Sequence, residues 1–164
     1  MISIRPLLVL AAAMLVLAIV TFEIYKKEQI LAKGTTVLLK LAPYDPRSLI
    51  QGDYMELRYQ IARLPELNKF EAKQGYLVIE LDDNQVAKFK RVYQDQTQLG
   101  DNELLLQFRK RRFQIRIGAE SFFFQEGHAK YYTNASYGEL RVSSSGKSVL
   151  VGLRDAKFKH LEPK

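Results

Sequence analysis

Two carboxylates, Glu120 and Glu126, flank the segment SFFFQ, and a third, Asp53, follows Gly52 at the head of an alternating run. Carboxyl groups roughly 5 to 10 Å apart across an open cleft can cleave a glycosidic bond, one as acid and the other as nucleophile or base. Glu126 also has a plain structural reading. It precedes Gly127 and His128 at the start of a short helical pattern, where a negative charge suits the positive end of the helix dipole. Ser48 or Ser121, activated by a desolvated lysine, would be a second hydrolytic arrangement, but no Gly-x-Ser-x-Gly stands in the chain. There is no cysteine, and the two histidines, His128 and His160, lie far apart. Thiolate chemistry and disulfides are therefore excluded, and neither a metal nor any other cofactor is expected from this ligand inventory.

Charge is the next chemical feature. The 164 residues carry a net charge of +7, and between residues 85 and 117 eight basic side chains face only Asp95, Asp101 and Glu103. Its densest part is the run Arg109, Lys110, Arg111, Arg112. Such a patch can meet phosphates, acidic polysaccharide or anionic lipid, but the plainer reading, and the preferred one, is that a small domain beside a membrane is simply basic. Nucleic acid is not expected, because only Phe108 and Phe113 flank the run and strand alternation accounts for both.

The element that must position all this is at the front. PLLVLAAAMLVLAIVTF, residues 6 to 22, is free of charge, and as a helix it spans roughly 26 Å, just short of a hydrocarbon core. Ile24 and Tyr25 extend it, Tyr25 at the height of an interfacial aromatic belt. Pro6 suits the first turn of a helix. No A-x-A processing site stands behind it, and helical character continues through EIYKKEQILAK to Gly34, a natural stop. The expectation is an unprocessed single-pass anchor with its juxtamembrane helix over residues 1–33, and one domain over residues 34–164. The balance of Arg5 against Lys26, Lys27 and Lys33 does not decide orientation by the positive-inside rule. An anchor so near the amino terminus usually exports the chain on its carboxyl side, which places the domain outside the cytoplasm, on the inner (cytoplasmic) membrane.

Beyond Gly34 the dominant period is two. TVLLKL aligns Val37, Leu39 and Leu41. YMELRYQI aligns Met55, Leu57, Tyr59 and Ile61 against Tyr54, Glu56, Arg58 and Gln60. GYLVIEL, the DDNQ turn and VAKFKRVY form a hairpin. ELLLQFR and FQIRI are joined near KRR, whose charges suit a solvated hairpin end or an edge that resists pairing. ELRV, a Ser-Gly turn and SVLVGL repeat the scheme, with Val149, Val151 and Leu153 on one face, and AKFKHL is a candidate last strand. Seven to eight strands are expected. His128, Tyr131, Tyr132 and Ala135 have the spacing of a short amphipathic helix, and LPELNKFEAKQG can hold one helical turn. The fold class is mainly β: an antiparallel sandwich or barrel-like domain with one short helix, behind a transmembrane helix. The three phenylalanines 122 to 124 must put two rings on one strand face and one on the other; the helix carrying Tyr131 and Tyr132 is the expected cover, ahead of a partner or the membrane interface.

In APYDPRSLIQGDYMELRYQIA, Asp45 before Pro46 initiates a turn, Gly52 permits a positive φ or a close backbone approach, and Asp53 closes the turn or faces Arg47. On physical grounds this pair is first a turn and only then a ligand site. The same stretch resembles the GDYXXLXY family of bacterial membrane-anchored proteins, with Gly52, Asp53, Tyr54, Leu57 and Tyr59 filling all five specified positions. The likeness continues in DPRSLIQ, GAESFFFQEGHAKYY, YGELRV and VLVGLRD. It implies an anchored extracytoplasmic domain and a multi-spanning membrane partner, and it implies no reaction. With the tyrosines Tyr44, Tyr54 and Tyr137 expected at the surface, the reading is a membrane-tethered binding or assembly module of a bacterial envelope complex, its small-molecule ligand, if any, undefined. The alternative is an envelope hydrolase or glycan-acting enzyme using Asp53 with Glu120 or Glu126.

Overall fold

The computed structural model describes residues 4–42, 50–51, 54–68, 72–94, 98–111 and 114–163. Asp45, Arg47, Gly52, Asp53 and Arg112, together with Tyr44 and Ser48, lie outside the described residues.

The chain opens with helix α1, Ile4–Lys33. From Pro6 it is long and apolar enough to cross a membrane, and its most apolar stretch is left unburied by the rest of the molecule. Pro6 stands in the first turn, at a position where an N–H would have had no intrahelical acceptor, so its missing donor costs nothing. Leu, Val, Ile and Phe side chains along residues 7–24 are about half or more exposed all round the helix. Each such side chain gains roughly 1.5 to 3 kcal/mol on leaving water, so this surface demands an apolar surrounding. The apolar face ends where Ile30 buries itself, and α1 then packs on the last two strands of the fold. Gly34 ends the helix: its N–H bonds the Ile30 carbonyl at 2.8 Å, and a Cβ there would collide with that same oxygen.

Ten strands lie beyond it among the described residues, where alternation alone implied seven or eight. They are β1 (Thr35–Lys40), β2 (Ile50–Gln51), β3 (Tyr54–Glu56), β4 (Gln74–Leu81), β5 (Ala87–Val92), β6 (Glu103–Arg111), β7 (Gln114–Arg116), β8 (Ser121–Phe123), β9 (Tyr137–Val142) and β10 (Ser148–Arg154). They form three antiparallel sheets in the orders β1-β9-β10, β2-β3-β8 and β5-β4-β6-β7. The architecture is mainly antiparallel sheet, curled into a half-barrel behind one long apolar helix. A single core lies among the sheets, with Val37, Leu39, Leu77, Ile79, Leu106 and Leu140 fully enclosed.

Both predicted hairpins of the four-stranded sheet are present, with β4 pairing β5 and β6 pairing β7. The DDNQ turn is built by Asp82, whose Oδ1 accepts from the N–H groups of Asn84 and Val86 at 3.0 and 2.9 Å. Gln85 takes a positive φ of 63° to close it.

Several elements differ from their sequence pattern. The run from Tyr54 is a strand only to Glu56; it ends in an isolated bridge at Tyr59 and a 3₁₀ turn, Gln60–Arg63. The amphipathic helix expected over residues 128–135 is one 3₁₀ turn, Ala129–Tyr131, since a positive-φ glycine, Gly127, and the strand beginning at Tyr137 leave room for no more. The expected turn of helix in LPELN is present at Pro65–Asn68. In β10 a bulge falls between Leu150 and Gly152, so Val151 is turned outward at 38 % exposure and Leu150 stands opposite Leu140. AKFKHL forms no strand: His160 makes a single bridge to Arg154.

Candidate functional site

The motif segment keeps its alternation after it stops being a strand. Met55, Leu57, Tyr59 and Ile61 are all buried, and Tyr54, Glu56, Arg58 and Gln60 point away. It does so by changing partners. β3 pairs β8 through Tyr54–Phe123, Met55–Phe122 and Glu56–Ser121. The Leu57 N–H then bonds the Glu120 carbonyl at 2.6 Å, and the Arg58 carbonyl accepts from Ala42 N–H at 2.7 Å, beside the bridge between Tyr59 and Leu41. One extended segment thus stitches the sheet of β2-β3-β8 to the sheet begun by β1.

Tyr59 is the anchor of that stitch. Its ring is 1 % exposed, and its hydroxyl donates to the Ala119 carbonyl at 2.6 Å. Burial, and after it the charge of Glu120, pushes the phenol far above its ordinary range, so it remains a donor at any physiological pH. The ring lies against Gly138 of β9, where a Cβ would sit 2.9 Å from Cε1 and 3.0 Å from the hydroxyl. Leu57 and Tyr59 are therefore core and clamp, while Tyr54 faces outward.

The loop between β7 and β8 is held from its other side by Glu120. Its carboxylate accepts from the N–H of Ile117 and from that of Gly118 at 3.0 and 3.1 Å, while Gly118 adopts a φ of +87°. Both oxygens of Glu120 are thus engaged by backbone of its own loop. Glu126 is an exposed residue of a tight turn, with Gly127 at φ +78° and the His128 N–H bonded to the Gln125 carbonyl at 3.0 Å. It does not begin a helix. His128 packs edge-on against Tyr131. Among the described residues no group of three His, Asp or Glu can hold a metal ion. Ser121 is exposed and opposite Glu56, with no lysine bonded to it among the described residues. A Ser-x-x-Lys spacing does stand at Ser144 and Lys147, but it is the β9–β10 turn, in which Ser143 Oγ accepts from the Lys147 N–H at 3.2 Å.

Two clefts adjoin this loop and share Arg116 and Glu120 as walls. The smaller, about 300 Å³, lies over the clamp and is edged by Glu56, Arg58 and Arg63. The larger, about 820 Å³, opens between the end of α1 and the sheet of β4, β6 and β7. The basic cluster of residues 88–116 divides between two fates. Arg91 grips Glu103 through two bonds of 2.8 Å, Lys90 bridges Glu103 and Glu80, and Lys88 reaches Asp82 at 3.9 Å. The Arg91 bond, with the Gly100 N–H and Lys90, holds the Glu103 carboxyl far below the usual carboxylate range. Arg109, Lys110, Arg111 and Arg116 instead line the larger cleft.

The aromatic run is sorted by strand geometry. Phe122 and Phe124 pack against Tyr132 at 4.9 and 5.4 Å, whereas Phe123, on the other face, is 74 % exposed and meets Tyr54 at 5.8 Å. The short turn carrying Tyr132 covers the paired rings and not the odd one, contrary to the expected internal cover. Tyr137, expected at the surface, is half-buried against Phe158, and Tyr54 is half-buried beside Phe123.

For the clamp at Tyr59 and the outward pair Tyr54–Phe123, sequence alternation carries the facing of each side chain but not its chemistry. Their partners, Ala119, Gly138 and Phe123, lie 60 or more residues away from the motif.

The family model described as GDYXXLXY protein matches residues 16–153, from within α1 to Leu153 in β10. No curated protein and no solved structure matches the chain.

Proposed function

The chain belongs to the GDYXXLXY protein family, and from that premise we propose that it is a membrane-tethered binding and assembly module rather than a free-standing catalyst. Helix α1 is the anchor in the cytoplasmic membrane, residues 34–164 stand outside the cytoplasm, and the partner is a multi-spanning membrane protein of the bacterial envelope. The observation that carries this reading is the outward aromatic pair on the motif strand and its neighbour. Phe123 is 74 % exposed beside Tyr54, on a sheet whose other face turns Met55 and Phe122 toward the core. An exposed phenylalanine beside an outward, half-buried tyrosine offers the aromatic residue types that anchor protein interfaces. The carboxylates offer less: Glu120 is occupied by backbone N–H groups, and Glu126 sits on an exposed turn.

A photo-crosslinking amino acid at position 123 of the full chain, irradiated in intact cells, tests the reading. The expected product is one discrete adduct to an integral membrane protein, lost when Tyr54 is replaced by Ser while the domain still melts cooperatively. Adducts spread over many abundant proteins would contradict it.

A further inference from the structure

The larger cleft has a property that its sequence neighbours conceal. It draws Lys26 and Lys27 from α1, Lys73 from the segment before β4, Arg109 from β6, Arg116 from β7 and Lys147 from the β9–β10 turn onto one concave surface. With Lys110 and Arg111, which also line it, these basic residues come from five separate places in the chain, and three of the eight stand in the run of charge visible at residues 109–112. The two carboxylates on the cleft wall are both engaged, Glu23 with Lys26 at 2.7 Å and Glu120 with its own loop backbone. Among the described residues, Lys27, Lys73, Arg109, Arg116 and Lys147 have no carboxylate within ion-pair distance. A concave surface with this surplus of unpaired, exposed cations is electrostatically incomplete and recruits anions.

Its height decides which anion. The charge-free run of α1 ends at Phe22, Tyr25 stands at the interface, and Lys26 and Lys27 lie about 6 to 8 Å beyond Phe22 along the helix axis. That is the depth of the headgroup layer, which adds roughly 5 to 7 Å to each side of the hydrocarbon core. The cleft therefore opens at the level of lipid phosphates, with α1 as one wall.

We propose that this cleft binds the phosphate headgroup of an anionic phospholipid in the bilayer that holds α1. The bound headgroup ties the domain down against the membrane and fixes its tilt about Gly34, where the helix ends. Arg forks and Lys ammonium groups on several elements suit phosphate oxygens, and each basic side chain near an anionic surface adds measurably to attachment. This inference rests on α1 spanning a membrane, and it is independent of orientation, because it needs only the side of the bilayer on which the domain stands.

The test uses the full chain in detergent micelles, first shown to be integral by its resistance to carbonate extraction from membranes. It is titrated separately with dioleoylphosphatidylglycerol, dioleoylphosphatidylcholine and glycerol 3-phosphate, with retained lipid counted by native mass spectrometry and melting followed in parallel. The expected result is retention and a raised melting temperature with phosphatidylglycerol alone. Combining Lys73→Gln, Arg109→Gln and Lys147→Gln should cut that preference about tenfold or more. Neutralising Lys40, Lys157 and Lys159, exposed cations outside the cleft, should leave it intact. Should the triple variant fail to fold, Lys147→Glu alone, on an exposed turn, must still lower retention. Equal retention of both lipids, equal loss in the two charge variants, or full reproduction by glycerol 3-phosphate would each overturn the proposal. An integral chain without lipid preference defeats this inference only; a carbonate-soluble chain defeats the anchor as well.

Discussion

At position 59 a phenol almost wholly removed from water directs its one O–H to the Ala119 carbonyl. Tyr59→Phe keeps the ring and leaves that carbonyl without its donor, so it should lower unfolding free energy by about 1 to 2 kcal/mol. Urea or thermal unfolding of the variant checks this, and an unchanged stability would mean the hydroxyl is not holding the loop. Glu139 is the other buried polar side chain of consequence. It is 5 % exposed and is met by Arg154 and His160, each at 2.7 Å from Oε2. Burial pushes its carboxyl up, but the Arg154 bond and the charges of Arg154, His160 and Arg141 outweigh it and hold the carboxyl below its ordinary value. A carboxyl lowered in the folded state contributes stability that is present above its unfolded value and lost as pH falls through the folded one. Thermal melts should therefore hold steady at near-neutral pH and fall as the medium is acidified below the ordinary carboxylate range. Glu139→Gln should start lower and lose less on the same acid series. A variant that loses as much as the parent would assign the acid sensitivity elsewhere, Glu103 being the next group with the same sign.

Among the elements, the segment 54–61 joins two sheets only because β9 offers no side chain where Tyr59 lies down. Gly138→Ala would set a methyl 2.9 Å from the ring, and overpacking of that kind costs about 1 to 3 kcal/mol. The loss should appear as a lower melting temperature with β9 and β1 still paired; no loss at all would place the ring elsewhere. These elements also mark what sequence can and cannot carry. The alternation of Met55, Leu57, Tyr59 and Ile61 predicts their burial correctly, because inward facing depends on local backbone extension. It overruns the strand, because strand assignment requires a partner and the partner changes between Leu57 and Arg58. The bulge at Val151 is invisible for the same reason: Val149, Val151 and Leu153 alternate well, and only the pairing with β9 reveals the extra residue. The turn at Glu126 has the pattern of a helix start because His128, Tyr131, Tyr132 and Ala135 keep helical spacing, yet the chain turns only once. The basic run is visible in sequence, but Lys73 and Lys147, which complete the cleft, stand alone there. Gly52 and Asp53, the first two residues of the motif, lie outside the described residues, so the motif's structural role rests on Tyr54, Leu57 and Tyr59.

Taken as one molecule, the protein is an apolar rod continuous with a β-rich body, joined at Gly34 and reinforced where Arg141 donates to the Gly34 carbonyl at 3.2 Å. The rod has no partner among the described residues over its apolar length, and the body places a cleft of about 820 Å³ at the foot of the rod and an aromatic pair on a separate sheet. This division gives the two proposed contacts different surfaces, lipid at the cleft and protein at Tyr54–Phe123. Both presuppose that residues 6–22 stay covalently attached and embedded. The most direct measurement is carbonate extraction of membranes from cells making the full chain, with peptide mass mapping of the recovered protein. The account predicts that the protein stays in the pellet and that peptides spanning residues 16–33 are continuous with the domain. A carbonate-soluble domain whose first residue lies beyond Phe22 would contradict it.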